Sequence, residues 1–146
     1  MERYQVLNRV LTPIDRVVDH GVDALKRFGV YDDVKEWVTG GIRAYLRSSF
    51  ESNHQLDVQG QENMPTDGGC LVAANHQSWL DAQVLAVATK DRLHFVAKAD
   101  FGDWPMLRHL LDLTDSILIR RGGDNDGLKR IEEAVLGGER VVIFPE

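Results

Sequence analysis

His76 and Asp81, five residues apart in the stretch LVAANHQSWLD, are the residue types of a general base and its orienting acid. A carboxylate on one imidazole nitrogen fixes the tautomer and stabilises the imidazolium. The second nitrogen can then take a proton from a hydroxyl or thiol. On a continuous helix, residues five apart lie about 140° around the axis and do not face each other. The pair therefore needs an apolar strand that ends before His76, a turn, and a helix that begins after it. Ser78 followed three residues later by Asp81 fits a capping box, so a helix is expected from Trp79. The helix N-terminus favours the ionised acid but disfavours protonated histidine, so two influences on His76 oppose each other. Plainer roles fit the same residues: Asp81 as a capping acid and His76 as a solvated loop histidine. Ser78 lacks a G-x-S-x-G elbow and reads as a cap rather than a nucleophile.

The elements around this pair follow from hydrophobic period. Val6, Leu7, Val10, Leu11, Ile14, Val17, Val18, Val22 and Leu25 recur at helical spacing. Thr12-Pro13 predicts a break and a new N-cap, Gly29 a left-handed C-terminal stop, and Asp33 with Glu36 a capping box. Gly40-Gly41 weakens the helix that follows. Residues 51–69 read as a short strand and loop. Beyond them, CLVAA (70–74), LHFVAK (93–98), SILI (116–119) and RVVIF (140–144) have strand length and composition. Residues 79–89, 104–113 behind Asp103, and 127–136 behind Asp124 or Asp126 read as helices. Alternation of this kind predicts an α/β fold with a mostly parallel sheet. An N-terminal amphipathic helical region (1–50) would precede an α/β domain (51–146).

In that register His76 follows the first strand and Lys98 ends the second. Arg120 and Arg121 end the third, and Glu146 ends the fourth. Ligands of parallel sheets bind beyond the carboxyl ends of strands, so four consecutive strands release ionisable side chains towards one candidate functional edge. Arg120 and Arg121 suit bidentate contact with phosphate or carboxylate. RRGGDNDG lacks the P-loop pattern and reads as a turn into a helix. Trp79 and Trp104 read as core or rim aromatics. His20, His54, His94 and His109 show no metal-ligand spacing and Cys70 has no partner cysteine, so no metal is expected.

The chain has 146 residues, enough for one domain with a real core. A formal charge of -6 argues against a nucleic-acid binder. One cysteine inside an apolar run fits a reducing cytoplasm. No signal peptide is visible and no stretch approaches the roughly 20 apolar residues that span a bilayer, so a surface-bound rather than membrane-crossing protein is expected.

NHQSWLD resembles the first signature block, N-H-x-x-x-x-D, of the glycerolipid acyltransferases typified by 1-acylglycerol-3-phosphate acyltransferase. VQGQENMP is similar to the segment before that block and AKADFGDWPML to the stretch leading to the second. SILIRR resembles the second block itself, and VVIFPE the opening of the third, usually Phe-Pro-Glu-Gly-Thr-Arg. The resemblance spans residues 57–146 and implies acyl transfer from acyl-coenzyme A or acyl carrier protein to the free hydroxyl of a lysophospholipid. It implies His76 as the base and Asp81 as its partner, with Arg121 and Glu146, aided by Arg120 and Lys98, at the acceptor's phosphate and glycerol end. No cofactor and no covalent acyl-enzyme are implied, and the expected location is the inner face of a membrane, bound peripherally. Arg120 stands where the family often has another polar or acidic residue. The third block stops at Glu146, so a truncated chain is expected. The competing readings are a non-catalytic lipid- or phosphate-binding module and a thioesterase-like hydrolase that uses His76 with water.

Overall fold

A computed structural model of the chain describes residues 2–120 and 122–145, with side chains from residue 11 onward. Helices α1 (Glu2–Arg27) and α2 (Tyr31–His54) come first, then a 3₁₀ turn at Gln61–Asn63. Strands β1 (Cys70–Ala73), β2 (Leu93–Lys98), β3 (Ile117–Ile119) and β4 (Arg140–Ile143) alternate with helices α3 (Asp81–Ala88), α4 (Leu107–Leu113) and α5 (Asn125–Leu136). The four strands form one parallel sheet in the order β1-β4-β2-β3, which confirms the α/β expectation. The last strand in sequence thus lies inside the sheet. Its Val141 and Val142 are fully buried on both faces, as a near-continuous apolar run in a parallel sheet requires.

Several boundaries differ from the sequence reading. The expected break at Thr12-Pro13 is absent: α1 runs through Pro13. Proline removes one backbone donor at a cost of about 3 kcal/mol, but its fixed φ is helical. The apolar period continues unbroken on both sides, and docking of α1 offsets the loss. The turn at Gly29 is as expected, with φ at 68° and a double closure from Gly29 N–H to Lys26 O and from Val30 N–H to Leu25 O. That closure delivers the chain straight into α2 at Tyr31, so Asp33 lies inside the first turn rather than at its cap. α2 continues past Gly40-Gly41 and past residue 50 to His54. The short strand expected within residues 51–69 is replaced by the end of α2, irregular chain and the 3₁₀ turn.

α2 packs on α3 and closes its C-terminus. Arg43 donates to Thr89 O, Arg47 to Val87 O and Gln61 to Ala88 O, which supplies partners for carbonyls a helix end leaves open. The helix expected over 104–113 begins only at Leu107, because Pro105 pushes Trp104 to an extended conformation. A 3₁₀ turn at Ala99–Asp103 takes up the intervening chain. Asp124, not Asp126, caps α5: it accepts from Gly127 N–H at 2.8 Å and from Arg120 N–H at 2.8 Å, which hold its carboxyl below the usual range. Gly69, just before β1, lets that strand start against the end of α5. A Cβ there would meet Val135 O at 2.0 Å.

α1 is clamped to α4 by charge. Asp15 accepts from Met106 N–H at 2.9 Å and from Arg108 at 2.9 Å, and Arg108 also pairs with Asp19. His109 Nε2 lies 3.0 Å from Asp15 Oδ1. The Met106 N–H and then Arg108 hold the Asp15 carboxyl below its usual value. A depressed carboxylate contributes stability that is complete above the unfolded value and is lost as pH falls through the folded one. Hydrogen exchange, corrected for intrinsic rates, is therefore expected to show α1 protected down to the ordinary carboxylate range and released below it. Arg108→Gln should release α1 already at neutral pH.

Candidate functional site

The site is built where β1 hands over to α3. After Ala73 the chain leaves the sheet, with Ala74 N–H still bonded to Ile143 O of β4 at 3.1 Å. Residues 76–80 then form a tight turn. Ser78 Oγ accepts from Leu80 N–H at 3.2 Å, and the Asp81 carboxylate reaches back to Ser78 N–H at 2.8 Å. Only half of the capping box that the Ser78–Asp81 spacing predicts is formed: Asp81 N–H bonds to Ser78 O at 3.0 Å rather than to Ser78 Oγ, and the N-cap of α3 is Leu80, not Ser78. The regular helix begins at Asp81 rather than at Trp79, two residues later than expected.

Asp81 Oδ2 also accepts from Gln77 N–H at 2.7 Å and lies 3.1 Å from His76 Nδ1. One oxygen thus gathers three donors. The Ser78 and Gln77 amides, followed by His76, lower the Asp81 pKa and keep the acid ionised. An ionised carboxylate only accepts hydrogen bonds, so Nδ1 is the nitrogen that carries the proton and Nε2 is the basic one. The imidazole is 44% exposed and its face lies against Phe144, just beyond β4. Nothing in the sequence flagged Phe144 as a neighbour of His76, because only strand order puts β4 beside β1.

The remaining candidates are spread along the sheet edge. Extending the ladder from Ala73, Ile143 and Ile117 puts His76 and Arg120 at the same level and Lys98 one residue short of it. β2 is two positions from β1 and β3 is three, so the strand axes stand about 10 and 14 Å away. Lys98 and Arg120 are both exposed. Arg120 lines an open depression with Gly122, Gly123 and the first turn of α5. The structure thus joins His76 to Asp81 directly and holds the two cations on neighbouring strands of the same edge. Arg121 and Glu146 lie outside the described residues. Trp79 and Trp104 are 75% and 47% exposed, so neither is a core aromatic.

Among the described residues, Asp15, Asp19 and His109 come within ligand distance of one another, a grouping that no spacing in the sequence indicated. Arg108 already supplies the cation these carboxylates need. His20 bonds to Arg16 O, His54 packs on Phe50, and His94 pairs with Glu139. No helix among the described residues is long and apolar enough to cross a membrane.

The family model for acyltransferases matches residues 55–146, well over half of the chain. Among curated proteins, a lyso-ornithine lipid O-acyltransferase from Rhodobacter capsulatus is 32% identical over 77 residues, covering 51% of this chain and 27% of the relative. A chloroplastic 1-acyl-sn-glycerol-3-phosphate acyltransferase of Brassica napus is 31% identical over 97 residues, 64% of this chain and 28% of the relative. The enzyme of that name from Neisseria gonorrhoeae is 35% identical over 82 residues, 53% of this chain and 31% of the relative. In each case the match spans less than a third of the relative's length. No solved structure matches the chain. An α/β sheet that ends in a His–Asp pair, together with these matches, leads to one conclusion: the chain belongs to the acyltransferase family that includes the glycerolipid acyltransferases.

Proposed function

We propose that the protein transfers a fatty acyl group from acyl-coenzyme A or acyl carrier protein to the free hydroxyl of a lysophospholipid such as 1-acylglycerol-3-phosphate. The observation that carries this reading is the His76–Asp81 pair, with Nδ1 on the carboxylate. His76 Nε2 takes the hydroxyl proton as the oxygen attacks the thioester carbonyl. The tetrahedral adduct collapses, the C–S bond breaks, and the imidazolium returns the proton to the leaving thiolate. Asp81 stabilises the imidazolium in between. No cofactor enters this sequence, since the thioester is itself the activated donor.

Lys98 and Arg120 are the cations for the acceptor's phosphate, and their place on the same edge supports this despite the negative total charge. Arg121 and Glu146 join them by family resemblance alone. Peripheral attachment to the inner face of a membrane is supported by the exposed Val17, Phe28, Trp37 and Tyr45 on and between the first two helices. The test follows free thiol from a long-chain acyl-coenzyme A. Release that depends on added lysophosphatidate, with phosphatidate as product, is the expected result. Release at the same rate without acceptor would mark a hydrolase. Acyl-coenzyme A binding with no release would mark a binding module.

A further inference from the structure

Phe144 stacks on the His76 ring, with centroids 4.2 Å apart and 25° between planes. Phe95 of β2 stacks in turn on Phe144 at 6.4 Å and 15°. The register explains the row. Phe95 pairs with Val142, and Phe144 lies two residues beyond Val142, so all three side chains share one face of the sheet. Val142 is fully buried and anchors the row. Pro145 confines Phe144 to extended backbone, so the ring continues the alternation of β4 beyond the last ladder pair.

We propose that Phe144 is a positioning residue for His76. The proposal rests on the reading of His76 as the base. The Asp81 carboxylate holds the ring at its Nδ1 edge. The Phe144 ring stacked against its face restrains tilting of the imidazole and with it the direction in which Nε2 points. The aromatic face also carries negative electrostatic potential, which stabilises the imidazolium formed once the proton has been taken. Asp81 and Phe144 thus constrain the ring from its edge and its face. The second contact comes from the strand that sheet order inserts beside β1.

The test compares Phe144→Leu, which keeps apolar bulk, with Phe144→Tyr, which keeps the ring. With acyl-coenzyme A and lysophosphatidate, the leucine variant is expected to lose about tenfold in kcat with KM within about twofold. The tyrosine variant should keep parental turnover. Proton NMR of the 146-residue chain supplies a readout free of turnover. The His76 ring protons are expected upfield under the Phe144 ring current, to stay there in Phe144→Tyr, and to lose the shift in Phe144→Leu. Where the leucine variant does not fold, Phe144→Met takes its place. Parental kcat in the leucine variant, equal losses in both variants, or an unshifted His76 ring in the parent chain would each overturn the proposal. The base assignment fails separately, if His76→Ala keeps turnover whatever the Phe144 variants do.

Discussion

Replacing His76 with alanine is expected to lower acyl transfer by about 10²- to 10⁴-fold, the range that a positioned general base contributes. The loss is expected on kcat, because the proposed base acts on the proton of the attacking hydroxyl and adds little to ground-state binding. Folding should change by no more than about 1 kcal/mol, since the side chain is nearly half exposed and sits in a turn. His76→Gln sharpens the case. Glutamine can still donate an amide hydrogen to Asp81 Oδ2, yet it has no basic nitrogen to offer the acceptor. The two variants should therefore be equally inactive. Thiol release and phosphatidate formation at saturating substrate measure the effect, with a thermal melt as the folding control. Near-parental turnover in either variant would remove the base from the mechanism.

The sequence made strands easier to read than helix starts, for physical reasons. CLVA, LHFVAK, ILI and RVVI are short apolar runs bounded by polar residues, and such runs have few alternatives to a buried parallel strand. Helix starts were misplaced wherever a neighbour decided them. Pro105 delayed α4, the closure at Gly29 advanced α2, and the Ser78–Asp81 box shaped a turn rather than the first turn of regular helix. Contacts across long stretches left no local trace. The Asp15–Arg108 clamp joins residues 93 apart and holds α1 intact through Pro13. Strand order was hidden for the same reason. The chain lists β4 last, whereas the sheet inserts it between β1 and β2. The His–Asp pair was legible because it is local and overlaps a capping-box spacing, of which the Asp81 half is formed. The aromatic face behind it was not, because the sequence separates Phe144 from His76 by nearly the whole domain.

Asp81→Asn separates the two roles of this residue and is expected to cost about 10²- to 10⁴-fold in kcat. The asparagine carbonyl can still accept from the Gln77 and Ser78 amides, so the turn should persist and the melt should stay close to the parent. What disappears is the charge. The side-chain amide can meet Nδ1 as a donor, which favours the tautomer with its proton on Nε2, the nitrogen that must be basic. Asp81→Ala removes the acceptor as well, so it should lose thermal stability in addition to activity. The pH dependence has a definite sign. The Asp81 pKa is lowered in the folded state, first by Ser78 and Gln77 and then by His76. Its contribution to the turn is therefore complete above the unfolded carboxylate value and is lost as pH falls through the depressed one. Parental stability should show this acid-side loss, and Asp81→Asn should lack the component due to residue 81. An asparagine variant that is fully active, or one that melts as early as the alanine variant, would show that the carboxylate serves the fold and not the imidazole.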